Sequence, residues 1–123
     1  MERSLFEHIV EQTFDRLPLQ FKNVIENLGV VVEDFPTEEL TQKLRLRSKH
    51  DLLGLYQGVP LTARGSWYGT IPVVPDKISL YQKNIEAQCS TEEEIIDKIY
   101  EVLLHEIGHY FGMSEDEIRA AGY

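Results

Sequence analysis

Cysteine is almost absent: Cys89 stands alone in 123 residues, so the chain can form no internal disulfide and needs no oxidising compartment to fold. Nothing beside it lowers a thiol pKa, and it reads as an ordinary small side chain. Positive charge is scarce as well. The 12 Lys plus Arg face 21 Asp plus Glu, a formal charge of −9, and such a surface repels phosphate backbones and anionic lipid. Nucleic acid and membranes are therefore not expected partners. No apolar run reaches the length of a membrane-spanning helix. Charges through residues 1–8 interrupt the stretch where a signal peptide carries its apolar core, so the expected location is the cytoplasm. Repeats, low-complexity tracts and a linker are missing too, and with this length they predict one domain over residues 1–123.

What is present is an ordinary globular balance, 42% hydrophobic and 27% charged. Ser4 and Glu7 have capping-box spacing, and Phe6, Ile9, Val10, Phe14 and Leu17 follow at helical intervals until Pro18. Proline opens helices readily, which predicts a second helix over 18–28 with Phe21, Val24, Ile25 and Leu28 inward and Gly29 ending it. Val30–Val32, residues 52–56 and Ile78–Tyr81 read as strands. A short helix is predicted after Pro36, and loops over 41–51 and 62–75, the latter rich in glycine around Trp67 and Tyr68. Thr91 with Glu94 caps a long helix from about 92 to 111, which Gly112 ends, and Ser114 with Glu117 caps a last short helix. Helices flanking a few strands make an α+β fold.

The long helix carries His105-Glu106-Ile107-Gly108-His109, a HExxH sequence. Histidines four apart lie one turn above each other on one face, a geometry that lets two imidazoles grip one tetrahedral ion, usually zinc. Glu106 lies about 100° round from His105, near enough to polarise a water on that ion without ligating it. At this composition chance supplies about 0.015 such matches per chain, so accident is a poor account. On the helical wheel Ile95, Ile96, Ile99, Leu103, Leu104, Ile107 and Phe111 form the inward half, and Glu94, Asp97 and Glu101 face out. The two histidines and Glu106 fall on the border beside Val102, where a cleft floor would lie. A third ligand is required. The segment HEIGHYFGMSED follows HExxHxxGxx and then a ligand, which points to Glu115 with Asp116 as the fallback. Both also suit the first turn after the Ser114 cap with no metal at all.

With that segment, GVVVEDFP (29–36), LLGLYQGVPLT (52–62) and VPDKISLY (74–81), nearly the whole chain resembles the minimal zincin-like domains of bacteria. The resemblance implies a compact zincin fold: a small mixed sheet of about three or four strands, flanking helices, and HExxH on a long C-terminal helix. It implies a zinc metallopeptidase that hydrolyses peptide or amide bonds, with Zn2+ on His105, His109 and Glu115, Glu106 as general base, and a peptide or protein as substrate. It also implies that Ile78–Tyr81 is the edge strand along which the peptide lies, with residues 56–61 lining the cleft. The family pattern resembles that of zincins whose third ligand is Asp, so Glu115 is a departure with a longer reach. Tyr68, Tyr110 and Tyr123 are candidates for stabilising a developing oxyanion. Trp67 and Tyr68 form a substrate lid or simply pin their loop. His50 beside Asp51 is a solvent-facing pair or a support for the site, and His8 lies on a helix surface. The competing expectation, prompted by small size and the unusual third ligand, is a zincin-fold binding module without catalysis. A closed structural zinc site would normally need more cysteine.

Overall fold

The computed structural model describes residues 1–23, 25–68 and 75–123. The chain begins with α1 (Arg3–Asp15) and α2 (Leu19–Lys22), then runs through β1 (Leu28–Glu33), α3 (Glu38–Lys43) and β2 (Gly54–Gln57) to β3 (Asp76–Tyr81). It ends with α4 (Gln82–Ala87), α5 (Glu92–Tyr110) and α6 (Glu115–Ala120). Among the described residues the sheet has three strands in the order β1-β3-β2, with β1 parallel and β2 antiparallel to β3. This is the expected α+β fold with a mixed sheet and a long C-terminal helix. No helix among the described residues is long and apolar enough to cross a membrane.

The core lies between one sheet face and the helices α1 and α5. Ile78 and Leu80 project from β3 onto Phe6, Ile9 and Val10 of α1 and onto Ile99, Val102, Leu103 and Ile107 of α5. Burying each such side chain contributes about 1.5–3 kcal/mol. The inward stripe of α5 is narrower than the wheel predicts: Ile96 is exposed and Leu104 only half-buried, while Glu106 is buried.

Several expectations change. The strand Ile78–Tyr81 is not an edge but the centre of the sheet, extended back to Asp76. Both of its faces are covered: Ser79 and Tyr81 are buried as fully as Ile78 and Leu80. The edge beside α5 is β2. The second helix stops at Lys22, and the left-handed residue before β1 is Asn27 at φ 55°, not Gly29, which lies inside the strand. Asparagine tolerates that conformation better than most residues. Phe21 is largely exposed, its ring 5.9 Å from that of Phe111; Val24 lies outside the described residues, as do 69–74 of the glycine-rich stretch. The Ser4–Glu7 box does not form. Helix α1 starts two residues earlier, with Glu2 at the cap, where Arg3 donates to the Val32 carbonyl at 3.0 Å and to Gln82 at 2.6 Å and pairs with Asp34. The Ser114–Glu117 box forms as read. At Thr91 half of the box forms: its hydroxyl accepts the Glu94 N–H, while the Glu94 carboxylate takes the Ser90 N–H.

Candidate metal centre

Helix α5 sets the two imidazoles. Their rings stand 5.3 Å apart, one helical turn from each other, and both Nε2 atoms point to the same side. The helix then ends in a glycine-capped turn. Gly112 takes φ 88°, the Met113 N–H reaches back to the Gly108 carbonyl at 3.0 Å, and the Gly112 N–H to that of His109 at 2.9 Å. A side chain there would be strained by its φ and would strike Thr62. The turn reverses the chain so that α6 begins against the histidines.

Glu115, the first residue of α6, lies between them. Its Oε2 is 3.0 Å from His105 Nε2 and its Oε1 is 2.7 Å from His109 Nε2. One ligand atom from each of the three residues lies within 4.8 Å of the others. Asp116 is exposed and, among the described residues, the metal-competent group is His105, His109 and Glu115 without it. Two neutral imidazole nitrogens and one carboxylate oxygen are the donor set of an open zinc site, so these residues fit the ion that the motif implies. The far nitrogens are also held: His109 Nδ1 lies 3.0 Å from the Met113 carbonyl oxygen and His105 Nδ1 lies 3.1 Å from the backbone oxygen of Tyr123. Backbone oxygens there select the Nδ1–H tautomer and leave Nε2 free to ligate.

Glu106 is 8% exposed and accepts the Tyr56 N–H on Oε1 at 3.0 Å. Burial raises its pKa above the ordinary carboxylate value, while the His105 and His109 charges and the Tyr56 N–H draw it part of the way back. That is the direction a base working near neutral pH needs. The cleft beside these groups has a volume of about 580 Å³ and runs between β2 and α5 as far as Tyr123.

Sequence reasoning missed the structure behind the cleft wall. Asp76 is buried and pairs with Arg64 at 2.8 Å, their side chains 1% and 6% exposed. The same carboxylate accepts the Tyr56 hydroxyl and the Val59 N–H, and Arg64 lies over the rings of Tyr68 and Tyr110. Burial first, then the hydrogen bond to Asp76, pushes the Tyr56 hydroxyl pKa far up. Of residues 56–61, Tyr56 and Pro60 line the cleft. The only advance signal for this network was PDK before a strand, which names no partner.

Apart from Tyr123, the remaining candidates lie away from the histidines or are tied elsewhere. The Tyr110 hydroxyl is bound to the Glu26 backbone in both directions and that of Tyr68 to Asn27, so Tyr68 pins its loop. Tyr123 lines the cleft. His50 is exposed, edge-on to Phe35, and His8 is exposed on α1. Burial, then the Glu94 charge, pushes the Cys89 thiol up, away from thiolate.

A HExxH helix, a glycine turn and a returning carboxylate on one cleft define a metallopeptidase-type centre of the zincin class. The chain belongs to the zincin-like metallopeptidase family, whose model matches residues 25–123. That family implies a metal, typically zinc, and peptide or protein substrates. A search of curated proteins finds no match.

Proposed function

We propose that this protein is a zinc peptidase in which His105, His109 and Glu115 hold the ion and Glu106 is the general base. The observation that carries the reading is the convergence of both Nε2 atoms on the Glu115 carboxylate, at 3.0 and 2.7 Å, at the floor of a cleft that also holds Glu106. Zinc, when bound, supplies Lewis acidity toward a water and a substrate carbonyl.

The chain's own residues do the rest. Tyr56 N–H occupies Oε1 of Glu106, so proton transfer falls to Oε2, which takes the proton of the attacking water and delivers it to the departing amine. The substrate runs as an added strand along the outer edge of β2. Leu53 O accepts from Tyr81 N–H at 2.9 Å, so by antiparallel alternation Gly54 and Tyr56 turn their backbone groups away from β3 toward that edge. With Tyr56 N–H committed, both polar groups of Gly54 and the carbonyl of Tyr56, which have no other backbone partner among the described residues, face the peptide.

The test is a peptide mixture incubated with zinc-loaded protein, its cleavage products read by mass spectrometry, against Glu106→Gln. The variant retains one zinc per chain and loses cleavage by about 10²-fold or more. Equal cleavage by the variant would falsify the assignment of the base. A wild-type protein that takes up no zinc, by elemental analysis after dialysis against it, removes the metal centre.

A further inference from the structure

Two histidines, two glycine-capped turns and two backbone oxygens stand in the same relation. At the end of α5, Gly112 is left-handed and the next residue, Met113, turns its carbonyl oxygen onto His109 Nδ1. The end of α6 repeats this arrangement. Gly122 has φ 96°, the Tyr123 N–H reaches back to the Ile118 carbonyl at 3.0 Å and the Gly122 N–H to that of Arg119 at 3.0 Å. The backbone oxygen of Tyr123 is thereby delivered to His105 Nδ1 at 3.1 Å. Gly112 belongs to the HExxHxxG pattern. Gly122 lies outside it.

We propose that the Gly122–Tyr123 turn is a positioning element for His105, the counterpart of Gly112–Met113 for His109, so that the end of α6 holds one metal ligand while its start supplies another. The inference rests on the zinc-site reading above. What gives the turn its leverage is the seating of α6. Ile118 is 1% exposed and packs directly on Gly108 inside the motif, where a Cβ would come within 2.8 Å of Ile118 Cγ1. Helix α6 is thus registered against α5 by one buried side chain, and the following turn sets the Tyr123 oxygen over His105. A hydrogen-bond partner of this kind fixes the ring and its tautomer, and its loss typically costs a metal site 10- to 100-fold in affinity.

Gly122 permits a clean test because nothing among the described residues lies within 4 Å of the Cβ it lacks. A Cβ there meets none of those atoms, so valine acts chiefly through the left-handed conformation that a β-branched residue resists. The full chain is compared as wild type, Gly122→Val and Gly122→Asn. Two quantities are read: the zinc dissociation constant, by competition with a chromophoric chelator, and the ring N–H protons of His105 and His109 in the zinc-loaded protein, by NMR. Gly122→Val is expected to bind zinc about 10-fold more weakly or worse, with the His105 ring proton exchanging rapidly while that of His109 persists. Gly122→Asn, which tolerates the left-handed region, is expected to recover most of both. Wild-type affinity with both ring protons protected in Gly122→Val overturns the inference and leaves the zinc site standing. So does loss of both protons together, which a general loosening would cause. A wild type without zinc affinity overturns this inference and the site reading alike.

Discussion

His105 and Glu115 respond to pH in opposite senses. Burial lowers the His105 pKa, but the backbone oxygen of Tyr123 and the Glu115 carboxylate outweigh it and leave the pKa above its ordinary value. Burial raises that of Glu115, and the hydrogen bonds from His109 and His105 outweigh it in turn, leaving the carboxyl below its ordinary value. A raised histidine contributes stability fully below its unfolded value, near 6.5, and loses it as pH rises through the folded one. A depressed carboxylate contributes above its unfolded value, near 4.3, and loses it as pH falls. In zinc-free protein the pair therefore stabilises most between roughly pH 4.5 and 6.5. Urea unfolding in the presence of chelator is expected to show the largest gap between wild type and Glu115→Gln in that window, narrowing on both sides. A gap independent of pH would remove the ion pair from the explanation. At this scale the sequence was readable wherever helix periodicity alone sets geometry. His105, Glu106 and His109 share a face because α5 has a fixed repeat, and Glu115 follows by spacing through the glycine turn. Tyr56 N–H and the Tyr123 backbone oxygen were not readable, since backbone groups carry no signature in residue type.

Elements were legible where their signals are local. Ser114 and Glu117 cap α6 with both bonds of the box in place. Ser4 and Glu7 have the same spacing but fail, because Arg3 is held by Val32, Asp34 and Gln82, which are distant in sequence. Helix α4 went unread, since it follows β3 with no turn residue between them. The order of strands is likewise a long-range property. Strand β3 is central because β1 and β2 pair on its two sides, and alternation within DKISLY describes faces, not edges. What fastens β3 to the cleft wall is the Asp76–Arg64 pair. Removing one partner leaves the other charge buried without compensation, so Asp76→Ala is expected to lose about 3–5 kcal/mol. The same change frees the Tyr56 hydroxyl and Val59 N–H. Equilibrium urea unfolding measures the loss, and a cost under about 1 kcal/mol would mean that water relaxes into the site and the pair is not the fastening.

For the molecule as a whole, the core and the metal centre are separate. The apolar cluster is built on Phe6, Ile78, Leu80, Ile99 and Leu103, and none of His105, His109 or Glu115 belongs to it. Folding is therefore not expected to wait for the ion, unlike that of small domains whose only core is the metal. Chelator-treated protein is expected to keep a cooperative thermal transition. Zinc that binds the native state alone adds RT ln(1 + [Zn]/Kd), about 2.7 kcal/mol at 100-fold saturation. For a chain of this length that corresponds to a rise of roughly 10 °C in the midpoint. Scanning calorimetry of wild type and His105→Ala, each with zinc and with chelator, separates the two contributions. The variant should lose the zinc-dependent rise yet melt within a few degrees of chelated wild type, because its side chain is only half-buried and outside the core. If chelation instead abolishes the transition, the helices and sheet depend on the ion, and the division between scaffold and site is wrong.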